Sequence, residues 1–338
     1  MFRIHKDFSL RSYNTFGNEV NTKYFIEFDV PEDLVSFLRS EKILRTEKRL
    51  ILGGGSNLLF LNDFDGIVLH PVNQTLEVKR EDSDHVWVEA GAGLKWDHFV
   101  EYCVEHGWGG VENLSLIPGN TGAVPVQNIG AYGAEASNVI EEVSGIDLEN
   151  FSEVRLSASE CRFGYRDSIF KNELLKGVLI QSVVFRLDRH PLFQLGYGNL
   201  EEVVLKTGEP SLRSVRQAVI RIRTEKLPDP AILGNAGSFF KNPVISVEYF
   251  NVLKASFPEI PGYPDKKGSV KLAAGWLIEQ CGWKGFRKGD AGVHNKQSLV
   301  LVNHGNASGL EILELSEKIS QSVYEKFNVK LEREVQVI

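Results

Sequence analysis

The first third of the chain alternates between strand-like and helix-like patterns of apolar and polar residues. Strand-like runs occur at 23–29, 49–52, 66–72, 75–81 and 85–92. Pro31 suits the first position of a helix over 32–40, and the helical pattern at 96–107 has Gly107 as its predicted C-cap. These patterns predict compact units that mix helices with strands.

The rest of the chain continues the mixture. A strand is predicted at 177–189, and Ser211 can cap a helix over 212–223. Helical patterns follow at 270–282 and from about 310 to 327, where one stripe carries Ile312, Leu315, Ile319, Val323 and Phe327. The last ten residues alternate as a strand, with one face formed by Val329, Leu331, Val335 and Val337 and the other by Lys330, Glu332, Glu334 and Gln336.

Length and composition narrow the class of protein. At 338 residues the chain exceeds the size of one hydrophobic core, so two or three domains are expected, with a boundary near 223–230. Hydrophobic content of 42% and charged content of 25% are those of a globular enzyme. A net charge of −7 disfavours nucleic acids as partners, because phosphate binding needs clustered Lys and Arg.

Cysteine spacing and hydropathy exclude other classes. Cys103, Cys161 and Cys281 lie far apart and form no metal-binding spacing, so neither a disulfide framework nor a metal site is expected. No apolar run has the length of a signal peptide or of the about 18 residues that span a membrane. The sequence therefore predicts a cytoplasmic protein without a membrane anchor, and we expect a monomer.

Two glycine-rich segments are candidates for binding phosphate or a planar ring. The turn at 53–57 follows a strand and fits neither a Walker A loop nor a Rossmann turn, so a plain tight turn is an equal alternative. The segment 114–133 shows no regular period and is predicted to be an ordered loop, which Pro118 and Pro125 could simply rigidify. Two separate glycine loops suit a long dinucleotide, because backbone can approach the ligand closely at glycine.

Two further segments carry candidate chemistry. Ser238 lies in GNAGSFFKNP, which is not a nucleophile elbow and has no adjacent base, so a proton donor and an ordinary loop serine are the two interpretations. Arg166 stands beside Asp167, either as a surface ion pair or as an anion-binding guanidinium. Spacing alone does not decide between these alternatives.

Taken in order, the motifs cover nearly the whole chain: YNTF, ILGGGSN, IPGNTGAVPVQNIGAYG, CRFGYRDSIFK, YGNL, TEKLPDP, GNAGSFFKNP, GSVKLAAGWLIEQ and KFNVKLEREV. In this order they resemble the UDP-N-acetylenolpyruvoylglucosamine reductase family, in the class that carries an extra substrate-domain loop. The resemblance implies an α+β fold of the vanillyl-alcohol-oxidase type (PCMH type), with two FAD-binding subdomains and a third, substrate-binding domain. The implied bounds are 1–72 with 329–338 returning near it, 73–222, and 223–328, the PCMH-type region covering about 17–189.

The resemblance also implies the ligands and the residues that bind them. Non-covalent FAD would contact Gly53, Gly54, Gly55, Ser56, Asn57, Ile117, Pro118, Gly119, Gly122, Gln127, Asn128, Gly130, Gly133 and Arg223. The UDP-sugar substrate would contact Tyr197, Lys226, Asn242, Tyr263, Lys271, Lys284 and Gln297. The catalytic residues would be Arg166, Ser238 and Glu334. One departure is Gln336, where the family pattern leads us to expect an arginine.

The implied reaction is the NADPH-dependent reduction of an enolpyruvyl ether to UDP-N-acetylmuramate for peptidoglycan. Flavin N5 would deliver hydride to the methylene carbon, Arg166 and Glu334 would stabilise charge on the carboxylate, and Ser238 would protonate the neighbouring carbon. Alternation alone does not select Glu334 over Glu332. Two rivals are a flavin oxidase on the same scaffold and a nucleotide-sugar binding module without activity.

Overall fold

The computed structural model describes residues 1–41, 47–171, 175, 177–206, 208–266 and 268–338. Within these ranges the chain forms two compact units. Unit 1 comprises Met1–Phe8, Thr22–Gly54 and Asp65–Glu225, and unit 2 comprises Ser9–Asn21, Gly55–Phe64 and Lys226–Ile338. The division into three domains stays a prediction.

The helices of the described ranges are α1 Pro31–Ser40, α2 Trp96–Glu105, α3 Leu200–Leu205, α4 Leu212–Lys226, α5 Val247–Ser256, α6 Ala274–Gln280 and α7 Gly309–Phe327. The strands are β1 Phe2–Ser9, β2 Asn21–Phe28, β3 Lys48–Ile51, β4 Leu58–Leu59, β5 Phe64–Pro71, β6 Leu76–Glu81, β7 His85–Gly91, β8 Gly130–Ala131, β9 Ala134–Glu135, β10 Ile140–Asp147, β11 Glu153–Ser157, β12 Val178–Asp188, β13 Gly234–Ser238, β14 Val244–Ser246, β15 Gly262–Pro264, β16 Ser269–Leu272, β17 Arg287–Lys288, β18 Ala291–Val293, β19 Val300–Asn303 and β20 Gln336–Val337. None of these helices combines the length and apolar character needed to cross a membrane, a finding that covers the described residues.

A four-stranded sheet with one covering helix forms the first layer of unit 1. Its strand order is β1-β2-β5-β3, and β3 runs parallel to β5. Helix α1 begins at Pro31, whose missing N–H costs nothing at this position. Acidic residues in its first turn interact favourably with the positive end of the helix dipole. Leu34 and Leu38 of α1 pack on Ile26 and Ile67 of the sheet. The strands and the helix predicted for this region are confirmed.

A five-stranded antiparallel sheet forms the second layer of unit 1. Its order is β11-β10-β12-β7-β6, and β12 is the strand predicted at 177–189. Helix α2 buries Trp96, Phe99 and Cys103 in the core that this sheet lines. The C-cap is His106, so Gly107, the predicted C-cap, lies one residue beyond the observed one, with a left-handed φ of 77°.

Helices α3 and α4 form a satellite core of unit 1. They bury Leu200, Val204, Val215 and Val219, and loop residues pack against this cluster. Ser211 caps α4 as predicted, since its Oγ accepts the N–H of Ser214 at 3.1 Å.

Unit 2 is built from two small sheets and helix α7. The sheets have the orders β13-β19-β18-β17 and β14-β16-β15. Ser308 and Glu311 form a reciprocal capping box at the start of α7, which explains why the helix begins one residue before the predicted Leu310. The predicted apolar stripe is confirmed, since its members are all at most 5% exposed: Ile312, Leu315, Ile319, Val323 and Phe327.

Two predictions about unit 2 were wrong in part. The helical pattern at 270–282 divides into strand β16, where Val270 and Leu272 are buried, and the shorter helix α6. Within the final ten residues, Arg333 forms one isolated bridge and only β20 is a regular strand, paired in parallel with β4. Val329 and Val335 are buried as predicted, whereas Glu334 is half-buried instead of facing away from the core. Long-range pairing, which alternation does not specify, decides both cases.

Candidate functional site

The first two glycines of the turn at 53–57 lie beside the second glycine-rich segment in unit 1. A Cβ placed on Gly54 would lie only 2.9 Å from Cα of Gly119, and one on Gly53 would lie 3.6 Å from Cβ of Asn120. This backbone approach requires glycine at position 54. Adjacent glycine turns expose backbone groups to the same ligand, and this geometry fits the pyrophosphate of a dinucleotide.

The rest of the first glycine turn belongs to unit 2, where it contacts the C-terminal segment. Gly55 has a left-handed φ of 62°, and a Cβ there would lie 1.9 Å from the carbonyl oxygen of Tyr13. Asn57 donates its side-chain N–H to the carbonyl oxygen of Glu334 at 3.2 Å and accepts the N–H of Gln336 at 3.0 Å. The predicted cofactor turn thereby fixes the backbone at the carbonyl of Glu334, a predicted catalytic residue, and just after it. Ser56 in the same turn is half-buried.

Ser238 and Glu334 lie on two neighbouring segments of unit 2. The N–H of Glu334 donates to the carbonyl oxygen of Phe239 at 2.9 Å, directly after Ser238. Phe240 and Arg333 form an antiparallel bridge, and the N–H of Lys241 donates to Glu332 at 2.9 Å. The structure therefore brings together two of the three predicted catalytic residues.

The structure also distinguishes the two carboxylates of the C-terminal segment. The side chain of Glu332 is 73% exposed and forms an ion pair with Lys241. Glu334 is half-buried, and its backbone is held from both sides by Phe239 and Asn57. A half-buried glutamate on a fixed backbone is the better candidate for contacting a substrate, so the geometry favours Glu334.

Arg166 lies against the second glycine loop of unit 1. Gly164 and Asp167 exchange backbone hydrogen bonds of 2.9 and 3.2 Å, which places Arg166 at the tip of a tight turn with a φ of 53°. Its guanidinium donates to the carbonyl oxygen of Gly130 at 2.5 Å and to that of Asn128 at 3.4 Å. The loop that is predicted to bind flavin therefore orients the predicted catalytic arginine.

Asn128 uses its side chain to hold this loop together. The residue is fully buried, and its amide donates to Glu135 at 2.9 Å and to the carbonyl oxygen of Gly164 at 3.0 Å. Its Oδ1 accepts the N–H of Ser137 at 2.9 Å. The amide is thus committed to protein contacts. The other predicted flavin contacts of this loop, Ile117, Pro118, Gly119, Gly122, Gln127, Gly130 and Gly133, are half-buried or exposed.

Arg223 supplies a cation inside unit 1. Its Nε is buried and has no hydrogen-bond partner among the described residues. Desolvation lowers the pKa of the Arg223 guanidinium, and the nearby Tyr132 acts in the opposite direction. A desolvated cation that lacks full hydrogen bonding is unfavourable unless an anion completes it. Arg223 and the paired glycine turns therefore fit an anionic dinucleotide such as FAD.

Most predicted substrate residues lie in unit 2. Tyr263 is directly opposite Lys271 on the β15-β16 pair and is 53% exposed, while Asn242 precedes β14 of the same sheet and accepts the N–H of Ala274. The sheet thus brings together Asn242, Tyr263 and Lys271.

The predicted substrate lysines of unit 2 each form an ion pair. Lys271 pairs with Asp265 at 3.2 Å, and Lys284 pairs with Glu279 at 2.9 Å. Gln297 lies beside Gly275 of α6, and Lys226 is exposed at the end of α4.

Tyr197 lies in unit 1, on the loop that precedes α3. It is 54% exposed, and its ring meets the ring of Tyr132 edge to face at 5.8 Å between centroids.

Sequence reasoning missed a polar cluster that supports these loops. Asp97 of α2 accepts two hydrogen bonds from Arg216 of α4, at 2.7 and 3.0 Å, and one from the N–H of Leu116 at 2.5 Å. Asp97 and Arg216 are 119 residues apart in the chain, so no local pattern could reveal the pair. Asn113 is a second missed residue, and its only signal was its position next to the glycine-rich loop.

Comparison with known protein families also indicates an FAD-binding region followed by the C-terminal domain of a reductase. A family model described as an FAD binding domain matches 30–149. A second, described as the C-terminal domain of UDP-N-acetylenolpyruvoylglucosamine reductase, matches 229–338. The reductase of that name from Chromobacterium violaceum is 49% identical over 98% of both chains, and that from Flavobacterium johnsoniae is 47% identical over 99% of both.

Solved structures show the same fold. UDP-N-acetylenolpyruvylglucosamine reductase from Thermus caldophilus aligns with a TM-score of 0.70 at 25% identity and covers 100% of this chain and 99% of its own. 6-Hydroxy-D-nicotine oxidase from Arthrobacter nicotinovorans aligns with a TM-score of 0.55 at 12% identity, covering 98% and 87%, and this likeness concerns the fold alone. The predicted α+β, PCMH-type FAD-binding fold is confirmed. On the full-length identity to its relatives, the chain belongs to the UDP-N-acetylenolpyruvoylglucosamine reductase family.

Proposed function

We propose that this protein is an FAD-dependent enzyme that reduces the enolpyruvyl ether of UDP-N-acetylenolpyruvoylglucosamine to UDP-N-acetylmuramate in peptidoglycan synthesis, with NADPH as the reductant. The observation that carries the proposal is the pairing of the segments around Ser238 and Glu334, in a chain of this reductase family. That pairing sets a hydroxyl and a carboxyl on adjacent backbone segments. Both groups have a defined use in reducing an enol ether next to a carboxylate.

The chemistry determines what the protein must supply. An enol ether is electron-rich, so its methylene carbon accepts hydride only when negative charge can move toward the adjacent carboxylate. Bound FAD supplies the redox step by accepting a hydride from NADPH and giving one to that carbon. The side chains must then stabilise the developing charge, donate one proton to the neighbouring carbon and hold the nucleotide.

Arg166 is proposed to stabilise the developing charge. A guanidinium is planar and always protonated, and it can donate two parallel hydrogen bonds to a carboxylate. The carbonyl oxygens of Asn128 and Gly130 hold one edge of the group, so its orientation is set before substrate arrives. A preoriented donor needs little reorganisation during the reaction.

Glu334 and Ser238 are proposed to complete the reaction. A protonated Glu334 would donate a hydrogen bond to the substrate carboxylate and so share the developing charge with Arg166. Ser238 would pass its proton to the carbon next to the new methyl group, and a cationic neighbour would stabilise the serine oxygen, with Lys226 as the candidate. Gln336 carries no charge, so the carboxylate grip in this chain would rest on Arg166 and Glu334.

The sheet with Tyr263 and Lys271 is proposed to hold the nucleotide part of the substrate. Lys271 and Lys284 each have an acidic partner, Asp265 and Glu279, at the surface of unit 2. The Lys284–Glu279 pair is exposed, at 40% and 45%, and such pairs contribute only about 0–1 kcal/mol, whereas the side chains of Lys271 and Asp265 are each 24% exposed. A diphosphate, with higher charge and more acceptor oxygens, can compete for both ammonium groups, and more easily for that of Lys284. Asn242, Tyr197 and Gln297 would add contacts to the substrate.

We also infer a cytoplasmic, monomeric enzyme. The three cysteines are free in the structure, as expected of a reducing compartment. Light scattering after size-exclusion chromatography tests the monomer, and fractionation of the native cell tests the compartment.

Three absorption spectra of the purified protein test the proposed function. The first should show an oxidised flavin, the second should show it bleached by NADPH without oxygen, and the third should show reoxidation on addition of the enolpyruvyl sugar nucleotide. Recovery of oxidised flavin only after oxygen, with hydrogen peroxide formed, would identify an oxidase instead. A protein without flavin absorption that binds the UDP-sugar would refute the proposal in favour of a binding module.

A further inference from the structure

Asn113 is a buried amide that joins two loops of unit 1. The residue is 2% exposed and lies in a short 3₁₀ turn, Glu112–Leu114, just before the second glycine-rich loop. Its side-chain nitrogen donates to the carbonyl oxygen of Tyr132 at 2.8 Å and to that of Gln194 at 2.7 Å. Both N–H groups of the amide are therefore used, one for each loop.

The two loops carry groups with different predicted tasks. Tyr132 belongs to the turn between β8 and β9, whose Gly130 carbonyl orients Arg166. Gln194 stands three residues before Tyr197, the tyrosine that is predicted to hold the substrate. The rings of Tyr132 and Tyr197 also touch, at 5.8 Å between centroids. Asn113 thus fixes the backbone beneath an aromatic contact that links the same two loops.

The loop around Tyr197 is only partly packed against unit 1. Phe193 and Leu195 pack on the satellite core of α3 and α4, but Leu192 is 92% exposed and Tyr197 is 54% exposed. The two hydrogen bonds from the buried Asn113 amide add a polar tie at Gln194 to this partial packing. Loss of the amide would remove one donor from each of the two carbonyl groups.

We propose that Asn113 is a positioning residue that places Tyr197 over the substrate, by tying the Gln194 backbone to the turn at Tyr132. The inference rests on the proposed function, since it assigns Asn113 to substrate holding in that reaction. Through this tie Asn113 acts on substrate affinity by way of Tyr197, so its loss should raise the concentration of sugar nucleotide needed for half-maximal reoxidation.

A double-mutant cycle on the flavin-loaded enzyme tests this coupling. NADPH-reduced wild type, Asn113→Ala, Tyr197→Ala and the double variant are mixed with the enolpyruvyl sugar nucleotide, and the half-saturating concentration of reoxidation is measured. Each single change should raise that concentration about tenfold, which corresponds to the free energy of about one to two hydrogen bonds. The double variant should stay within about threefold of Tyr197→Ala, because coupled residues are non-additive. An increase of about a hundredfold would show independent effects and overturn the proposal.

A matched control separates positioning from general stability. Asn303 of unit 2 is also buried, at 4% exposure, and donates to two backbone carbonyls, those of Phe16 and Ala307, at 3.0 and 3.3 Å. Oδ1 of Asn303 also accepts the N–H groups of Gly305 and Ala307, both at 2.9 Å, so Asn303→Ala removes more hydrogen bonds than Asn113→Ala. It should lower the melting temperature at least as much but leave the half-saturating concentration within about twofold of wild type, since none of these hydrogen bonds involves the loops that Asn113 joins. Equal increases in both variants would contradict a positioning role.

Limited digestion with chymotrypsin gives a readout that does not depend on activity. Asn113→Ala should speed cleavage within 192–197 about tenfold relative to wild type and to Asn303→Ala, because local opening exposes the loop. An unchanged cleavage rate would overturn the proposed anchor. If the wild-type enzyme is not reoxidised by the sugar nucleotide, the proposed function fails, while the digestion still decides whether Asn113 holds the loop.

Discussion

The ion pair between Asp97 and Arg216 offers a test of how unit 1 holds its cofactor loop. The Asp97 side chain is 28% exposed and the Arg216 side chain 10% exposed, and two hydrogen bonds join them. Asp97 also accepts the N–H of Leu116, which has a left-handed φ of 58° at the entrance to the loop. The substitution Asp97→Asn keeps the shape of this side chain but removes its charge.

The structure sets the size of the expected effect. Removing one partner of a fully buried pair costs about 3–5 kcal/mol, because the other charge stays buried. Partial exposure of Asp97 reduces this cost, and Glu101 at 3.5 Å from Arg216 retains one negative charge. We therefore expect Asp97→Asn to lower the free energy of unfolding by about 2 kcal/mol. For a unit of this size that loss lowers the melting temperature by about 4–8 °C.

The pH dependence gives the sign of the electrostatic contribution. Burial alone would raise the pKa of Asp97, but the hydrogen bonds from Arg216 and Leu116 outweigh it and the pKa is lowered. An acid with a lowered folded-state pKa stabilises the fold above its unfolded pKa of about 3.9 and loses that contribution as the pH falls further. The difference in the free energy of unfolding between wild type and Asp97→Asn should therefore be full at pH 7 and shrink below about pH 4.

Urea unfolding of the flavin-free protein, followed by circular dichroism, measures this difference in the free energy of unfolding. Glu101→Gln is the control, because Glu101 is 55% exposed and should contribute less than about 1 kcal/mol. Equal effects of the two substitutions, or a gap that does not change with pH, would refute the assignment of Asp97 as the charge that secures this region.

Three further substitutions test other features. The carboxyl of Glu112 is desolvated, which raises its pKa, so the wild type should lose stability as the pH rises above about 4.3; Glu112→Gln should be the more stable protein at pH 8 and equal to wild type at pH 4, by urea unfolding. Gly54→Ala should lose most of its FAD, measured as flavin absorbance per protein, because a Cβ would press on Gly119, whereas Gly177→Ala has an open site and should retain it. Arg166→Lys should slow reoxidation by the sugar nucleotide about a hundredfold but leave reduction by NADPH normal, since one ammonium cannot replace a guanidinium held by two carbonyls.

Local pattern predicted much of the fold. Helix α7 was predicted from one apolar stripe and α1 from a proline before a helical pattern, so short-range rules were sufficient for both. The prediction of one helix over 270–282 was wrong in part because β16 owes its conformation to pairing with β14 and β15, which lie elsewhere in the chain. Pairing partners are not visible in a single segment.

The candidate site, too, was predicted from the sequence only in part. Family motifs pointed to Arg166, Ser238 and Glu334, but only the structure showed that carbonyl oxygens orient the arginine and that a bridge joins the segments of the other two. Asp97 and Asn113 escaped notice because their partners are remote in the chain and neither has a motif of its own. A hydrogen bond between distant segments leaves no periodic signal.

Rapid mixing of Ser238→Ala in two separate half-reactions tests the central claim most directly. Reduction of the bound flavin by NADPH should stay within about twofold of wild type, and reoxidation by the enolpyruvyl sugar nucleotide should slow by about 10²–10⁴-fold, the usual contribution of a general acid. Ser238→Ala enzyme that is reoxidised at the wild-type rate, or that loses both half-reactions equally, would contradict the role of Ser238 as proton donor.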